Sequence, residues 1–138
     1  MDLILKKPTD REFEEVCSYI KKYDLDNRDL QKQQFTVAFE GLVLVGFGRL
    51  LEHPDSTELC SLGVIESHRK QHIGKAIVEE LIKNSPRNIH LVCIIPDYFR
   101  QFGFQIVEQF PKSIQNKMEY CTKELVVPER YVAMLLEK

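Results

Sequence analysis

The sequence predicts an α/β fold, and three stretches carry that expectation. Residues 57–83, TELCSLGVIESHRKQHIGKAIVEELIK, read as an apolar strand, a short cationic turn and an amphipathic helix, which makes one βα unit. Residues 88–95 supply a second buried strand, apolar at Ile89, Leu91, Val92, Ile94 and Ile95. Upstream, the apolar runs 35–39 and 42–51 flank Glu40-Gly41, the pattern of a tight hairpin.

In chain order, Leu3, Ile4 and Leu5 open a first strand that stops at Pro8. Thr9 with Glu12 three residues on is a capping-box signal, and Phe13, Val16, Cys17 and Ile20 then mark one helical face. Residues 24–34, DLDNRDLQKQQ, carry few apolar groups and read as a loop or a short helix. Gly46 and Gly48 inside the second hairpin strand call for a bulge or close packing. His53-Pro54-Asp55-Ser56 is a turn into the central strand. In the following helix Ile73, Ala76, Ile77 and Leu81 share a face, with Glu79, Glu80 and Lys83 elsewhere. Pro96 can open a helix of about two turns and Gly103 can close it, before a short strand over 104–108. Pro111 starts another helix, with Ile114, Met118 and Cys121 on one side. Pro128 resets the chain, and 131–136 form a last strand.

The turn before the helix at 73 is where chemistry shows. A helix N-terminus bears unpaired N–H groups and about half a positive charge, so its first turn favours Asp or Glu. Here the residues are His68, Arg69, Lys70, His72 and Lys75, with no acid between Ser67 and Val78. An anion cradled by the N–H groups of residues 71–75 would turn that repulsion into attraction. From charge alone two readings stay open: an anion site, or a solvated basic turn.

VIESHRKQHIGKA resembles the acetyl-CoA-binding motif of the GCN5-related N-acetyltransferases, the GNAT superfamily, whose form is Arg/Gln-x-x-Gly-x-Gly/Ala. Here it reads Arg69-Lys70-Gln71-His72-Ile73-Gly74, with His72 in place of the first glycine. The frame Gln71-x-x-Gly74-x-Ala76 also fits loosely, but sits less well from Val64. PDYFRQFGF at 96–104 is similar to the family's second motif, a short helix ending in Gly-Phe beside the pantetheine arm. Both motifs in order cover residues 35–108 well, and the ends only by element order.

The resemblance implies a GNAT fold, a mixed six- to seven-stranded central sheet with helices on both faces, as one domain over 1–138. Its two parallel central strands would splay to admit the cofactor. It implies acetyl-CoA as co-substrate, with pantetheine paired to the backbone of Leu62, Gly63 and Val64. The diphosphate would meet Arg69, Lys70, Gln71, His72, Ile73, Gly74 and Lys75, and Phe99 would flank the cofactor. Glu58, eleven residues before Arg69, is the expected base, since an acceptor amine with pKa near 10 is mostly ammonium at neutral pH. Strand alternation would put it on one face with Cys60, Leu62 and Val64. The usual leaving-group tyrosine is replaced by Phe99, and Tyr98 beside it is the candidate acid, with a packing aromatic as the other reading. No metal is needed, because the thioester is already activated.

The expected reaction is acetyl transfer to a primary amine of a small molecule such as an amino acid or polyamine. A non-catalytic acyl-CoA-binding module and a protein lysine or N-terminal acetyltransferase are the alternatives. The tail is similar to that of the N-acetylglutamate synthase type, but that type's Arg-Asn-Ser-Lys signature is absent, so glutamate is not assigned. In this fold residues 24–34 help form the acceptor pocket, where Asp24, Asp26 and Asp29 would attract an amine or simply be solvated.

Composition bounds these readings. At 138 residues, 43% hydrophobic and 29% charged, the chain is an ordinary one-domain globular length, and a net charge of −2 gives no general attraction to nucleic acid or membranes. No apolar run approaches the roughly eighteen residues of a membrane span, and the start MDLILKKPTD lacks a signal pattern. Cys17, Cys60, Cys93 and Cys121 lie far apart without ligand spacing, which reads as reduced, buried thiols in a cytoplasmic protein. A homodimer through the final strand would suit the fold.

Overall fold

The computed structural model describes residues 2–138. Seven strands form one mixed sheet in the order β1-β2-β3-β4-β5-β7-β6. They are β1 Leu3–Lys6, β2 Phe35–Glu40, β3 Val43–His53, β4 Ser56–Val64, β5 Ile89–Cys93, β6 Gln105–Val107 and β7 Val132–Leu136. The helices are α1 Asp10–Lys22, α2 Ile73–Asn84, α3 Pro96–Arg100 and α4 Lys112–Glu124. Of the ladders, β4–β5 is parallel, while β1–β2, β2–β3, β5–β7 and β6–β7 are antiparallel. The expected sheet size and parallel central pair are therefore present. The chain groups into two compact units, Met1–Leu50 with Cys60–Asn84, and Leu51–Leu59 with Ser85–Lys138.

In the first unit α1 begins where the capping box places it. The Glu12 N–H donates to Thr9 Oγ1 (3.2 Å) and the Thr9 N–H to Glu12 Oε1 (2.8 Å). Val16 and Ile20 then pack with Phe35, Val37, Phe39 and Phe47, all buried. Each such side chain contributes about 1.5–3 kcal/mol of apolar burial. The other face of β3 carries α2. A Cβ on Gly46 would stand 2.8 Å from Ile77 Cδ1, and one on Gly48 would stand 3.1 Å from Ile77 Cγ2. Close helix approach thus accounts for both glycines. A bulge is present as well: Ala38 faces Gly46 and Phe39 faces Leu44, which leaves Val45 as the extra residue.

The 24–34 segment is mostly loop, with one 3-10 turn at Lys32–Gln34. Its anchor is Arg49, fully buried on β3. Arg49 Nε donates to Ser61 Oγ (2.8 Å), Nη1 to Gln34 Oε1 (2.8 Å) and Nη2 to the Asp26 carbonyl (3.3 Å). An unmatched buried guanidinium would cost several kcal/mol, so the loop folds as the set of acceptors that this charge requires.

In the second unit β5 pairs β7 from Ile89↔Leu136 to Cys93↔Val132. Gly103 closes α3 at a φ of 100°, where a side chain would be strained. The helix expected after Pro111 is α4. It is held at its start by Asp55 Oδ2, which accepts the Ser113 N–H (3.2 Å), and by Ser56 Oγ, 2.6 Å from Ser113 Oγ. All four cysteines are free thiols, and Cys60, Cys93 and Cys121 are buried. Among the described residues no helix is long and apolar enough to cross a membrane.

Candidate active site

The loop from β4 to α2 takes its shape from two residues of unusual backbone. After a 3-10 turn at Glu66–His68, Lys70 (φ 68°) and His72 (φ 62°) are left-handed, and Gln71 between them is not. A side chain in that region costs about 1–2 kcal/mol, a strain that persists where the surrounding structure requires it. Alternating hands turn successive N–H groups toward one side, the backbone form of an anion nest. It leads directly into α2, whose first turn holds no acid. His72 replaces the motif's first glycine while keeping the conformation for which glycine is usually selected.

The cations around this loop divide by role. Lys70, Gln71, His72 and Lys75 are exposed, Gly74 is half-buried and Ile73 is buried. Arg69 instead braces the loop: its Nε donates to the Val64 carbonyl (3.1 Å) and its guanidinium lies 4.9 Å from the centre of the Tyr23 ring. Tyr23 Oη in turn accepts the Glu66 N–H (3.1 Å). His68 is turned aside, its Nδ1 2.8 Å from Ser67 Oγ.

On β4 the simple alternation expected from Glu58 to Val64 does not hold, because Ser61 is left-handed (φ 53°). Parity counted across such a residue is lost. Leu62 lies against Gly48 and the α2 side. At Gly63 a Cβ would stand 2.6 Å from Phe47 Cζ, in the α1 core. The Val64 carbonyl already accepts Arg69, so a ligand strand pairing there shares that oxygen.

Glu58 is fully buried and sits between two side chains of the second unit. His53 Nε2 is 2.8 Å from Oε1, and Lys117 Nζ is 3.0 Å from Oε2. The periodicities make this meeting. Ser56 and Glu58 point to one face of β4, about 7 Å apart; Ser113 and Lys117 share one face of α4, about 6 Å apart. The Ser56–Ser113 contact and the Glu58–Lys117 pair are thus successive rungs between strand and helix. His90, opposite Glu58 in the parallel ladder, has its pKa pushed down by burial, with Asp55 pulling the other way. Asp55 itself is held below the usual carboxylate range by its hydrogen bonds with Ser113.

Tyr98 and Phe99 belong to an aromatic cluster. The Tyr98 ring meets Phe99 edge-on at 5.1 Å and Phe102 at 5.6 Å, and Phe99, buried, meets Phe104 at 6.0 Å. Phe99 therefore serves as packing within its unit. Asp26, expected to attract an amine, is buried and bound by two guanidiniums, Arg28 Nη2 at 2.8 Å and Arg49 Nη2 at 3.5 Å. Asp24 and Asp29 are exposed.

Sequence reasoning missed His53, Lys117 and Arg49. Two of these left a signal: Lys117 stands in helical phase with Ile114 and Cys121, and Arg49 interrupts the apolar run LVLVGFGRLL. Charges at core positions are rarely left buried unless paired.

The family model described as Acetyltransferase (GNAT) family matches residues 4–104. The chain belongs to this family. Comparison with curated proteins gives no match. Among solved structures, this GNAT chain is similar to N-acetylglutamate synthase from Neisseria gonorrhoeae, complexed with coenzyme A and N-acetyl-glutamate. The TM-score is 0.77 at 10% identity, over 99% of this chain and 35% of that one. It thus spans about a third of the synthase. It is also similar to Rv2747 from Mycobacterium tuberculosis in complex with CoA and NLQ, with TM-score 0.76, 17% identity, and 98% and 99% of the two chains covered. A third similar structure is Arabidopsis thaliana Naa50 with the bisubstrate analogue CoA-Ac-MVNAL, with TM-score 0.68, 14% identity and all of both chains covered. At these identities the likeness is one of GNAT fold.

Proposed function

We propose that the protein is an acetyl-CoA-dependent N-acetyltransferase acting on the primary amine of a small molecule such as an amino acid or polyamine. The observation that carries this reading is the left-handed pair Lys70 and His72 at the start of α2. Together with a helix N-terminus free of acids, it forms a built cradle for a diphosphate. Lys70 and Lys75 supply charge to the phosphates, Arg69 holds the loop's shape, and the pantetheine pairs with the backbone of 62–64.

The acceptor arrives as an ammonium and has to lose a proton before it can attack. Glu58 receives that proton, and His53, 18% exposed, touches the same carboxylate and leads toward water. A thiol with a pKa of about 8.5 leaves tolerably as thiolate, so Tyr98 as acid would speed the step without being indispensable. A small acceptor is favoured by the likeness to proteins crystallised with N-acetyl-glutamate or NLQ, whereas the Naa50 complex carries a peptide. Four free thiols suit a reducing compartment such as the cytoplasm.

Calorimetric titration with acetyl-CoA tests the cofactor site. The parent should bind with micromolar affinity, on the order of −8 kcal/mol, and the Lys70→Gln, Lys75→Gln double variant more weakly, with a flatter salt dependence. Equal affinity and equal salt dependence would remove the diphosphate contacts. A thiol-release assay over amino acids, polyamines and N-terminal peptides then reads the acceptor. Binding without thiol release from any of them would make the protein an acyl-CoA-binding module instead.

A further inference from the structure

Two residues of the β4–α2 loop hold a conformation that strains a side chain, and something has to keep them in it. Lys70 (φ 68°) and His72 (φ 62°) lack the freedom of glycine, and such strain persists where the neighbouring structure over-determines it. The loop is tied to its own unit at Ile65, whose N–H donates to the Val45 carbonyl (2.9 Å). A further hold comes from the end of α1. Tyr23 Oη accepts the Glu66 N–H (3.1 Å), and the Tyr23 ring centre lies 4.9 Å from the Arg69 guanidinium, whose Nε donates to the Val64 carbonyl (3.1 Å). One tyrosine therefore touches both ends of the 3-10 turn that immediately precedes Lys70.

Tyr23 is itself fixed by how α1 stops. It is the C-cap, and Asp24 after it is left-handed (φ 53°). The Asp24 N–H donates to the Lys21 carbonyl (3.4 Å) and the Leu25 N–H to the Ile20 carbonyl (2.9 Å), the Schellman pattern. Asp24 thus fills the place in which glycine is usual, and Leu25 reaches the cofactor strand, its Cδ1 3.1 Å from where a Cβ on Gly63 would stand. Tyr23 also packs against the buried cluster around Val16 and Ile20. Packing alone would be served as well by phenylalanine; the hydroxyl is the part that reaches the loop.

We propose that Tyr23 is a positioning residue for cofactor binding. From the end of α1 it holds the turn from Glu66 to Arg69, so that Lys70 and His72 stay left-handed and the N–H groups ahead of α2 face one anion. The inference rests on the reading of that loop as the acetyl-CoA site. It makes Arg69 the partner of Tyr23 and leaves the phosphate charges to Lys70 and Lys75. A loop that is binding-competent for only part of the time raises the apparent Kd in proportion, so the loss of the Tyr23 contact is felt as weaker binding.

Calorimetric titration with CoA at two salt concentrations, beside thermal melts, tests the assignment on the parent, Tyr23→Phe and Arg69→Lys. Tyr23→Phe should melt close to the parent yet bind CoA roughly three- to tenfold more weakly, the worth of one hydrogen bond. Its salt dependence should stay parental, because no charge is removed. Arg69→Lys keeps the charge and loses the planar guanidinium that stacks on the ring, and should weaken binding to a similar extent. A tyrosine that served stability alone would lower the melting temperature and leave the affinity of the folded protein unchanged. CoA bound by Tyr23→Phe as tightly as by the parent therefore overturns the assignment and spares the cofactor reading. Should Tyr23→Phe not fold, Arg69→Lys decides: parental affinity there would make Arg69 a charge on the phosphates and not the partner of Tyr23. No CoA bound by the parent removes the cofactor reading and this inference together.

Discussion

At the scale of single residues, Lys117 is a buried charge paired with Glu58, Nζ to Oε2 at 3.0 Å. Removing one member of a buried pair leaves the other without compensation, a loss of about 3–5 kcal/mol. Lys117→Met should therefore cost about the lower figure, since His53 still touches the carboxylate. Adding Glu58→Gln to it should recover most of that loss, because the neutral amide keeps the contact to His53 and carries no charge. Urea midpoints of the two single variants and the double one close the cycle. If the double variant is as unstable as Lys117→Met, the stabilising term is packing of the lysine stem and not the ion pair. Arg49 behaves differently: its donors go mostly to the loop and to Ser61, so a change there would loosen residues 26–34.

At the scale of elements, the parts with local chemistry were legible and those set by meetings between elements were not. Thr9 and Glu12 announced α1, Gly103 announced the end of α3, and Pro111 the start of α4, because each acts on the backbone within a few residues. The parity of β4 was misread because nothing in the letters CSLG says that Ser61 turns left-handed; the reason lies in its Oγ, which serves Arg49 and the Asp26 carbonyl. The pairing of Lys117 with Glu58 was not legible for a similar reason, since the two stand 59 residues apart in the chain. The capping box also carries a pH prediction. The Glu12 carboxyl titrates below its ordinary value, first because of the hydrogen bond from Lys6 and then because of the Thr9 N–H. A lowered folded-state pKa means stability that is present above the unfolded value and lost as pH falls through the folded one. Denaturation midpoints followed from pH 7 down to pH 3 should therefore converge for the parent and Glu12→Gln toward the acidic end, with the parent ahead near neutrality. Parallel curves would show that Lys6 and Thr9 do not favour the ionised carboxylate.

For the molecule as a whole, the fold is shared with proteins only 10–17% identical, so it can be kept while most side chains change. What has to persist for a nucleotide cofactor is backbone: N–H groups at a helix start, held in a strained loop. This separates two ways in which a ligand could stabilise the chain. A ligand that binds only the folded protein adds RT ln(1 + [L]/Kd), about 2.7 kcal/mol at a hundred times Kd. For a chain of this size that raises the melting temperature on the order of 10 °C. If the diphosphate is the anchor, CoA should give such a shift and pantetheine, which has the same arm without phosphates, should give almost none at equal concentration. The CoA shift should also shrink at high salt, since the contacts at Lys70 and Lys75 are exposed and screened. A pantetheine shift equal to that of CoA would move the anchor from the β4–α2 loop to the strand that pairs with the arm.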